Sequence, residues 1–490
     1  MVIDSLKKRY ILKLLANIIF GIVNALLVAI IPKALGPVAY GQFNFLQQLY
    51  NQFISFIDAN SSTAFFTKLS ANNSRYDLII FYFLVSSLIF LITLLTSLFI
   101  DFGGAANYVF PDVERKYIYL GMLFCLLTWL NQVFIKISDA YAITVPVEIV
   151  KIIHKISMLF IVFIIISDFY LDLERYFYFN ILSLLVLLML LLVIFKRKHV
   201  FDSEINFKNI KFRAIFEEFY VFCSPLFIFN LIAIAIGIFD IWLLQKVSGS
   251  VEVGFYGLSY SISAMCFLFT SAMTPIIMRE FSQSIEQNDI DNVRKLFSRY
   301  VPMLYAISAY FSVFVAFHAE DLLLIFTDAR YEGAYMALVI MAFYPLHQTY
   351  GQINTALIFS AGKITFYKNI GLLFSFFGLI LSCLFIYLLK MGAEGMAWKM
   401  FVVQIISVNV QLLFNAKYLN VRVASFIIHQ IVCVFVFSII AYVTKVLLFD
   451  NVIINFLISG FIYTIIVFCC AFYFPNAIGI FKKKIESSIG

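Results

Sequence analysis

The chain has 490 residues, 63% of them hydrophobic and only 13% charged, and its net charge is +7. Ordinary soluble domains carry about 25% charge, so the composition excludes a water-soluble enzyme and places the chain in lipid. The basic excess sits in loops, where it reports orientation and contact with anionic lipids rather than nucleic-acid binding. The seven cysteines are odd in number and lie in apolar runs without metal-ligand spacing, so no metal site is expected.

Runs free of Asp, Glu, Lys and Arg recur at 14–32, 34–57, 78–100, 117–135, 176–195, 219–239, 253–278, 300–319, 333–362, 369–389, 400–416, 423–444 and 451–481. Each approaches the length needed to cross a hydrocarbon core of about 30 Å at 1.5 Å per residue. The first run follows Lys7, Lys8, Arg9 and Lys13 and ends at Pro32 rather than at a small-residue cleavage site. It reads as a retained span rather than a signal peptide. The second span carries a polar stripe of Gln48, Asn51, Gln52, Ser55, Asp58 and Ser62, and the fourth one of Thr128, Asn131, Gln132, Lys136 and Asp139.

Between the fourth and fifth of these runs lies Val145 to Ser167, which puts Glu148, Lys151, His154 and Lys155 before an apolar tract of twelve residues. Whether it crosses the membrane is decided by charge, because Lys and Arg accumulate on the cytoplasmic side of short loops. If it crosses, fourteen spans leave both termini inside, with 24 of the 35 basic residues inside and 8 outside; if it does not, the balance becomes 14 to 20. The stretch is therefore expected to be the fifth helix. On a helix, with Glu148 at zero, Lys151 falls at about 300°, Lys155 at about 340° and His154 at about 240°. The four share one face, which suits a bundle interior or a water-filled cavity, or an ion pair with lysines reaching the headgroups.

The next landmark is the basic loop Lys196 to Phe219, expected to be a cytoplasmic linker with a short amphipathic helix. After it, the eighth span carries Tyr256, Ser259, Tyr260, Ser263, Thr270 and Thr274, the tenth carries Tyr344, Gln348, Gln352 and Thr355, and the twelfth carries Lys399. Pro225, Pro275 and Pro345 lie in spans of this second half and are candidate bends. The segments LGPVAYGQF, with Gly36 and Gly41, and SGSVEVGFY, with Gly249 and Gly254, share their glycine spacing, and WLNQVFIKIS (from Trp129) aligns with PLHQTYGQIN (from Pro345). This weak repeat predicts two six-helix bundles, 1–210 and 211–420, followed by a helix pair with a basic tail at 421–490.

Polar stripes either glue helices together or line a shared cavity. The cavity reading makes Gln48, Asn51, Gln52, Asn131, Gln132, His154, Tyr260, Gln348 and Gln352 its lining. Lysine is a compact point charge suited to a mobile phosphate, which makes Lys151, Lys155 and Lys399 candidate diphosphate contacts. Asp58 and Asp240 are lone carboxylates bordering apolar runs and are candidate sites for a coupling proton or sodium ion. No catalytic residue, metal or bound cofactor is expected.

The basic N-terminus feeding a span that ends in IPKALGPVAYGQF, the segment NTALIFSAGKITFYKNIG from Asn354, and a 6+6+2 order of fourteen spans resemble one branch of the multidrug/oligosaccharidyl-lipid/polysaccharide (MOP) exporter superfamily. That branch is the polysaccharide transporters, the Wzx-type flippases. The resemblance implies an all-α polytopic membrane protein with two pseudo-symmetric bundles around a central cavity. It further implies translocation of an undecaprenyl-diphosphate-linked oligosaccharide, such as an O-antigen or capsule repeat unit, across the bacterial inner membrane. The partners so implied are membrane lipids, a polysaccharide polymerase and a chain-length regulator. The alternatives are a cation-coupled drug or metabolite exporter of the same superfamily and a membrane glycosyltransferase or polymerase; the longest outside loop, Asp101 to Lys116, is short for an enzyme.

Overall fold

The computed structural model describes residues 6–72, 75–168, 170–198, 200, 212–224, 227–267, 270, 273–445 and 449–473. Pro225, residues 199 and 201–211 of the 196–219 linker and the basic tail from 474 onward lie outside the described residues. Helices account for nearly all of what is described, and eleven of them are long and apolar enough to cross a membrane. The chain is a multi-pass membrane protein. It clusters into two compact units, one comprising Met1–Leu27 and Ala34–Gly254 and the other Val28–Lys33 and Phe255–Gly490.

The first unit holds α1 (Leu6–Asp58), α2 (Ser61–Ala71), α3 (Tyr76–Phe102), the single turn α4 (Ala106–Val109), α5 (Arg115–Ala140), α6 (Thr144–Asp168), α7 (Leu173–Arg197), α8 (Phe212–Cys223) and the part of α9 (Phe227–Met265) up to Gly254. Its core is built where α2, α3, α5 and α7 meet, around Phe65, Tyr82, Phe134, Ile137 and Phe195. The α3 helix shows why this core suits lipid. Its buried face carries Tyr82, Ser86, Ile89, Thr93 and Ser97, and its exposed face Leu84, Leu88, Leu91, Leu95 and Phe99. Small and polar residues point inward and large apolar ones outward, the inverse of a soluble helix.

The stretch Val145 to Ser167 lies within one uninterrupted helix, α6, as the charge balance requires. The linker ends in the amphipathic α8, which buries Ile215 and Phe219 and exposes Phe216 and Tyr220. Arg75 ties α8 to the start of α3, donating to Glu218 at 2.9 Å and to Asp77 at 2.8 Å. That contact pushes the Arg75 guanidinium pKa up, chiefly through the Asp77 hydrogen bond.

The second unit contains α10 (Thr274–Glu286), α11 (Ile290–Phe317), α12 (Ala319–Phe326), α13 (Tyr335–Met341), α14 (Tyr344–Ser360), α15 (Ile364–Ser382), α16 (Gly392–Leu419), α17 (Val423–Val443) and α18 (Val452–Tyr473). Its core runs through Phe281, Phe297, Tyr305, Tyr350, Leu412 and Phe437. Pro345 opens α14 and Pro275 opens α10, in the first turn where a missing N–H costs nothing; Pro302 lies inside α11. Val28–Lys33 clusters here because Tyr331 donates to the Pro32 carbonyl at 3.0 Å and Arg330 to the Lys33 carbonyl at 2.7 Å.

At 53 residues α1 is far too long for one crossing, and it breaks at Gly36 (φ 76°, ψ 167°). In the same way α9 breaks at Gly249 (φ 84°, ψ 176°). Both positions fall in the left-handed region that a side chain strains to occupy. Five residues beyond each break, the chains meet. A Cβ added at Gly41 would lie 1.7 Å from the Ser250 carbonyl oxygen, and one added at Gly254 would lie 2.4 Å from the Pro37 carbonyl oxygen. Pro37 and Ser250 directly follow the two breaking glycines, so the contact is reciprocal. Substituting Gly41 or Gly254 by Ala should therefore destabilise the protein by about 2 kcal/mol or more through backbone overpacking. Gly104 adopts φ 74° with open space around it, and Gly104→Asn should be near neutral. Thermal unfolding in detergent checks this; a Gly41→Ala protein that melts like wild type would disprove the close crossing.

Candidate functional site

The face of α6 divides into a paired part and an unpaired part. Lys151 donates to both carboxylate oxygens of Glu148 at 2.9 and 3.0 Å, and Glu148 is only 1% exposed. The Lys151 ammonium also lies over the Phe20 ring of α1, 5.3 Å from its centroid. His154 Nε2 sits 2.8 Å from the Ser183 hydroxyl and 2.9 Å from the Ser183 carbonyl, fastening α6 to α7. Lys155, about 10 Å further along the axis than Glu148, is half-buried. Among the described residues no carboxylate or hydrogen-bond acceptor reaches it.

The polar stripe of α1 separates in the same manner. Asp58 is buried and caps the start of α2: its Oδ1 accepts from Ser61 Oγ (2.8 Å), Ser62 N (3.1 Å) and Tyr82 Oη (2.9 Å), and its Oδ2 from Ser62 Oγ (2.8 Å). Lys136 of α5 completes the network, donating to Ser62 Oγ at 2.9 Å. Gln52 rests against Gly237 of α9, where a Cβ would come within 3.2 Å of its Nε2. Gln48 is half-buried and Asn51 exposed, and among the described residues no side-chain hydrogen bond reaches either. On α5, Asn131 is buried and donates to the carbonyls of Leu127 and Leu184, whereas Gln132 is exposed and likewise without a described side-chain partner. Asp240 is buried in α9, 3% exposed.

In the second unit the stripes join helices. Gln348 accepts from Gln404 of α16 at 2.6 Å, Gln352 from Thr274 of α10 at 3.0 Å, and Gln411 of α16 accepts from Thr355 at 3.0 Å. Asn415 adds a donation to the Asn354 side chain at 2.9 Å. The α16 amides Gln404, Gln411 and Asn415 escaped the sequence reading, although their spacing of seven and four is a helical stripe. Tyr260 is 43% exposed, with its ring 6.3 Å from Tyr256 and 6.4 Å from Tyr344. Lys399 is 7% exposed and packs on α15, where a Cβ at Gly378 would lie 3.2 Å from its Cε. Within each unit, then, some candidate residues are committed to helix contacts and others remain accessible. The accessible set is Gln48, Asn51, Gln132, Lys155 and Tyr260. Among the described residues no cluster of three His, Cys, Asp or Glu side chains offers a metal site.

No protein-family model matches the chain, and no curated protein matches it in sequence. Solved structures do match in fold. The lipid II flippase MurJ, in an inward closed conformation, superposes with a TM-score of 0.69 at 16% identity, covering 95% of this chain and 98% of that one. A multidrug resistance MATE family transporter of the MOP superfamily matches in its outward-facing conformation with a TM-score of 0.56 at 12% identity, over 85% of this chain and 96% of that one. An inward-facing conformation of such a MATE transporter gives 0.52 at 13% identity, over 86% and 96%. The chain therefore has the fold of the MOP-superfamily transporters.

Proposed function

We propose that the protein is a flippase that carries an undecaprenyl-diphosphate-linked oligosaccharide from the cytoplasmic to the outer face of a bacterial inner membrane, for surface polysaccharide synthesis. The observation that carries this reading is Lys155, a cation well inside a membrane helix without an anionic partner among the described residues. A lipid-facing charge at that depth costs several kcal/mol, so such residues face water or a ligand. The exposed amides Asn51 and Gln132 and the half-buried Gln48 argue the same way, because amides facing hydrocarbon would be left unsatisfied. A wet surface with a free ammonium suits an anionic headgroup, and a lipid-linked sugar brings a diphosphate. The MurJ neighbour is itself named as a flippase of lipid II.

In this reading α1 and α9 each count as two spans across their glycine breaks, and α13 with α14 as one, giving fourteen spans with both termini cytoplasmic. The spans form six-helix halves at 1–210 and 211–420 with a helix pair at 421–490, and the halves rock in alternating access. Lys155 is the first diphosphate contact. Lys151 and Lys399 join it when the headgroup displaces their present neighbours. A proton or sodium gradient drives the cycle. Asp58 and Asp240 are the proposed coupling carboxylates; the oxygens of Asp58 already take four donors. A polysaccharide polymerase and a chain-length regulator would act on the product.

The Lys155→Gln variant, present in the membrane at normal level, should lose surface polysaccharide and headgroup translocation in proteoliposomes. Retention of both would remove Lys155 from the mechanism, and efflux of small organic cations by the wild type would replace the reading with an exporter. Lys151→Gln should behave differently, because it strands the buried Glu148 carboxylate and lowers stability by about 3 kcal/mol. Glu148→Gln combined with Lys151→Gln should recover most of that loss. A single Lys151→Gln protein with an unchanged melting temperature would show that the pair contributes nothing to folding.

A further inference from the structure

We propose that the surface end of α15 and α16 binds the headgroup of an anionic phospholipid. A groove of about 670 Å³ opens there, lined by Lys363, Thr365, Phe366, Phe414, Lys417 and Tyr418 together with Gly362. Lys363 is the residue before α15 and Lys417 lies in the last turn of α16, so both ammonium groups sit where spans leave the hydrocarbon. Both side chains are exposed, no carboxylate lines the groove, and among the described residues neither ammonium group has a hydrogen bond or ion pair. Thr365 lines the same groove and adds a hydroxyl donor. The result is a concave cationic site that a phosphate monoanion complements.

The floor of the groove points to a lipid rather than a free anion. The rings of Phe366 and Phe414 stack with centroids 3.6 Å apart. From Phe366 the same face of α15 continues through Leu373, Phe376 and Ile380, which are 64%, 51% and 63% exposed. A phosphate held by the two lysines would therefore have its acyl chains laid along an apolar track on one helix. The two lysines near such a headgroup are together enough for at least a roughly tenfold preference. The site is built from α15, the two residues before it and α16, and its occupancy is independent of whether the protein is a flippase.

The test uses the full chain in detergent, with lipid retention read by native mass spectrometry and thermal shift. Phosphatidylglycerol should be retained roughly tenfold better than phosphatidylcholine and should raise the melting temperature. Lys363→Gln with Lys417→Gln should abolish that preference. Lys363→Arg with Lys417→Arg should keep it, and so should the charge-matched control Lys33→Gln with Lys390→Gln. Equal loss in the control, or an undiminished preference in the Lys363→Gln, Lys417→Gln protein, would overturn the site. Inorganic phosphate producing the full thermal shift by itself would show an anion site and overturn the lipid assignment. Because none of these readouts involves transport, their failure is distinguishable from failure of the flippase reading.

Discussion

A backbone N–H or C=O that enters the hydrocarbon layer finds no water there and must be satisfied inside the protein. That constraint selects helices throughout the described residues and fixes what their faces carry. With lipid as apolar as leucine, burying large side chains gains little, so helices meet through small and polar residues. The α18 helix follows this rule as α3 does, burying Asn455, Ser459, Tyr463 and Val467 while Leu457, Phe461 and Phe468 face outward. Amide pairs such as Gln348 with Gln404 are the same solution applied to side chains.

The same constraint explains the construction around the two glycine breaks. A helix that stops leaves carbonyls without their usual partners, and here long side chains supply donors to the neighbouring turn. Gln245 donates to the Pro111 carbonyl and to the Ser250 hydroxyl, both at 2.8 Å, while Trp242 donates to the Tyr108 carbonyl at 3.1 Å and Gln42 to that of Asp112. Because Gly41 and Gly254 carry no Cβ, the two backbones can approach closely here. The glycine spacing shared by LGPVAYGQF and SGSVEVGFY thus has a geometric counterpart: equal breaks, and equal approach five residues later.

Hydropathy and charge made much of this readable in advance. The membrane class, the α6 helix, the amphipathic α8 and the glycine repeat all follow from composition, charge balance and spacing. The number of separate helices did not, because a run of apolar residues does not show where a helix bends or pauses; α13 and α14 part at a short turn inside one uncharged run. The candidate site was legible only in part. Residue type cannot say whether an amide faces a neighbouring helix or open space, so Asn131 and Gln132, adjacent in sequence, were grouped together although one is glue and the other accessible. Asp58 read as a lone carboxylate, because its network depends on Tyr82 and Lys136, which arrive from distant sequence.

The charges on α6 show how a membrane helix can carry a cation without a described anionic partner at moderate cost. Glu148 and Lys151 neutralise one another one turn apart, so inserting both requires no outside partner, and their mutual hydrogen bonds offset desolvation. Lys155 then adds a single net positive charge to the face. Had Lys155 been the partner of Glu148, the accessible cation would be Lys151, one turn nearer the end of the helix where headgroup phosphates and water already compete for it. Pairing the terminal lysine and leaving the deeper one open directs the unsatisfied charge toward the membrane interior. There the effective dielectric is lower and a lone anion gains most from meeting it.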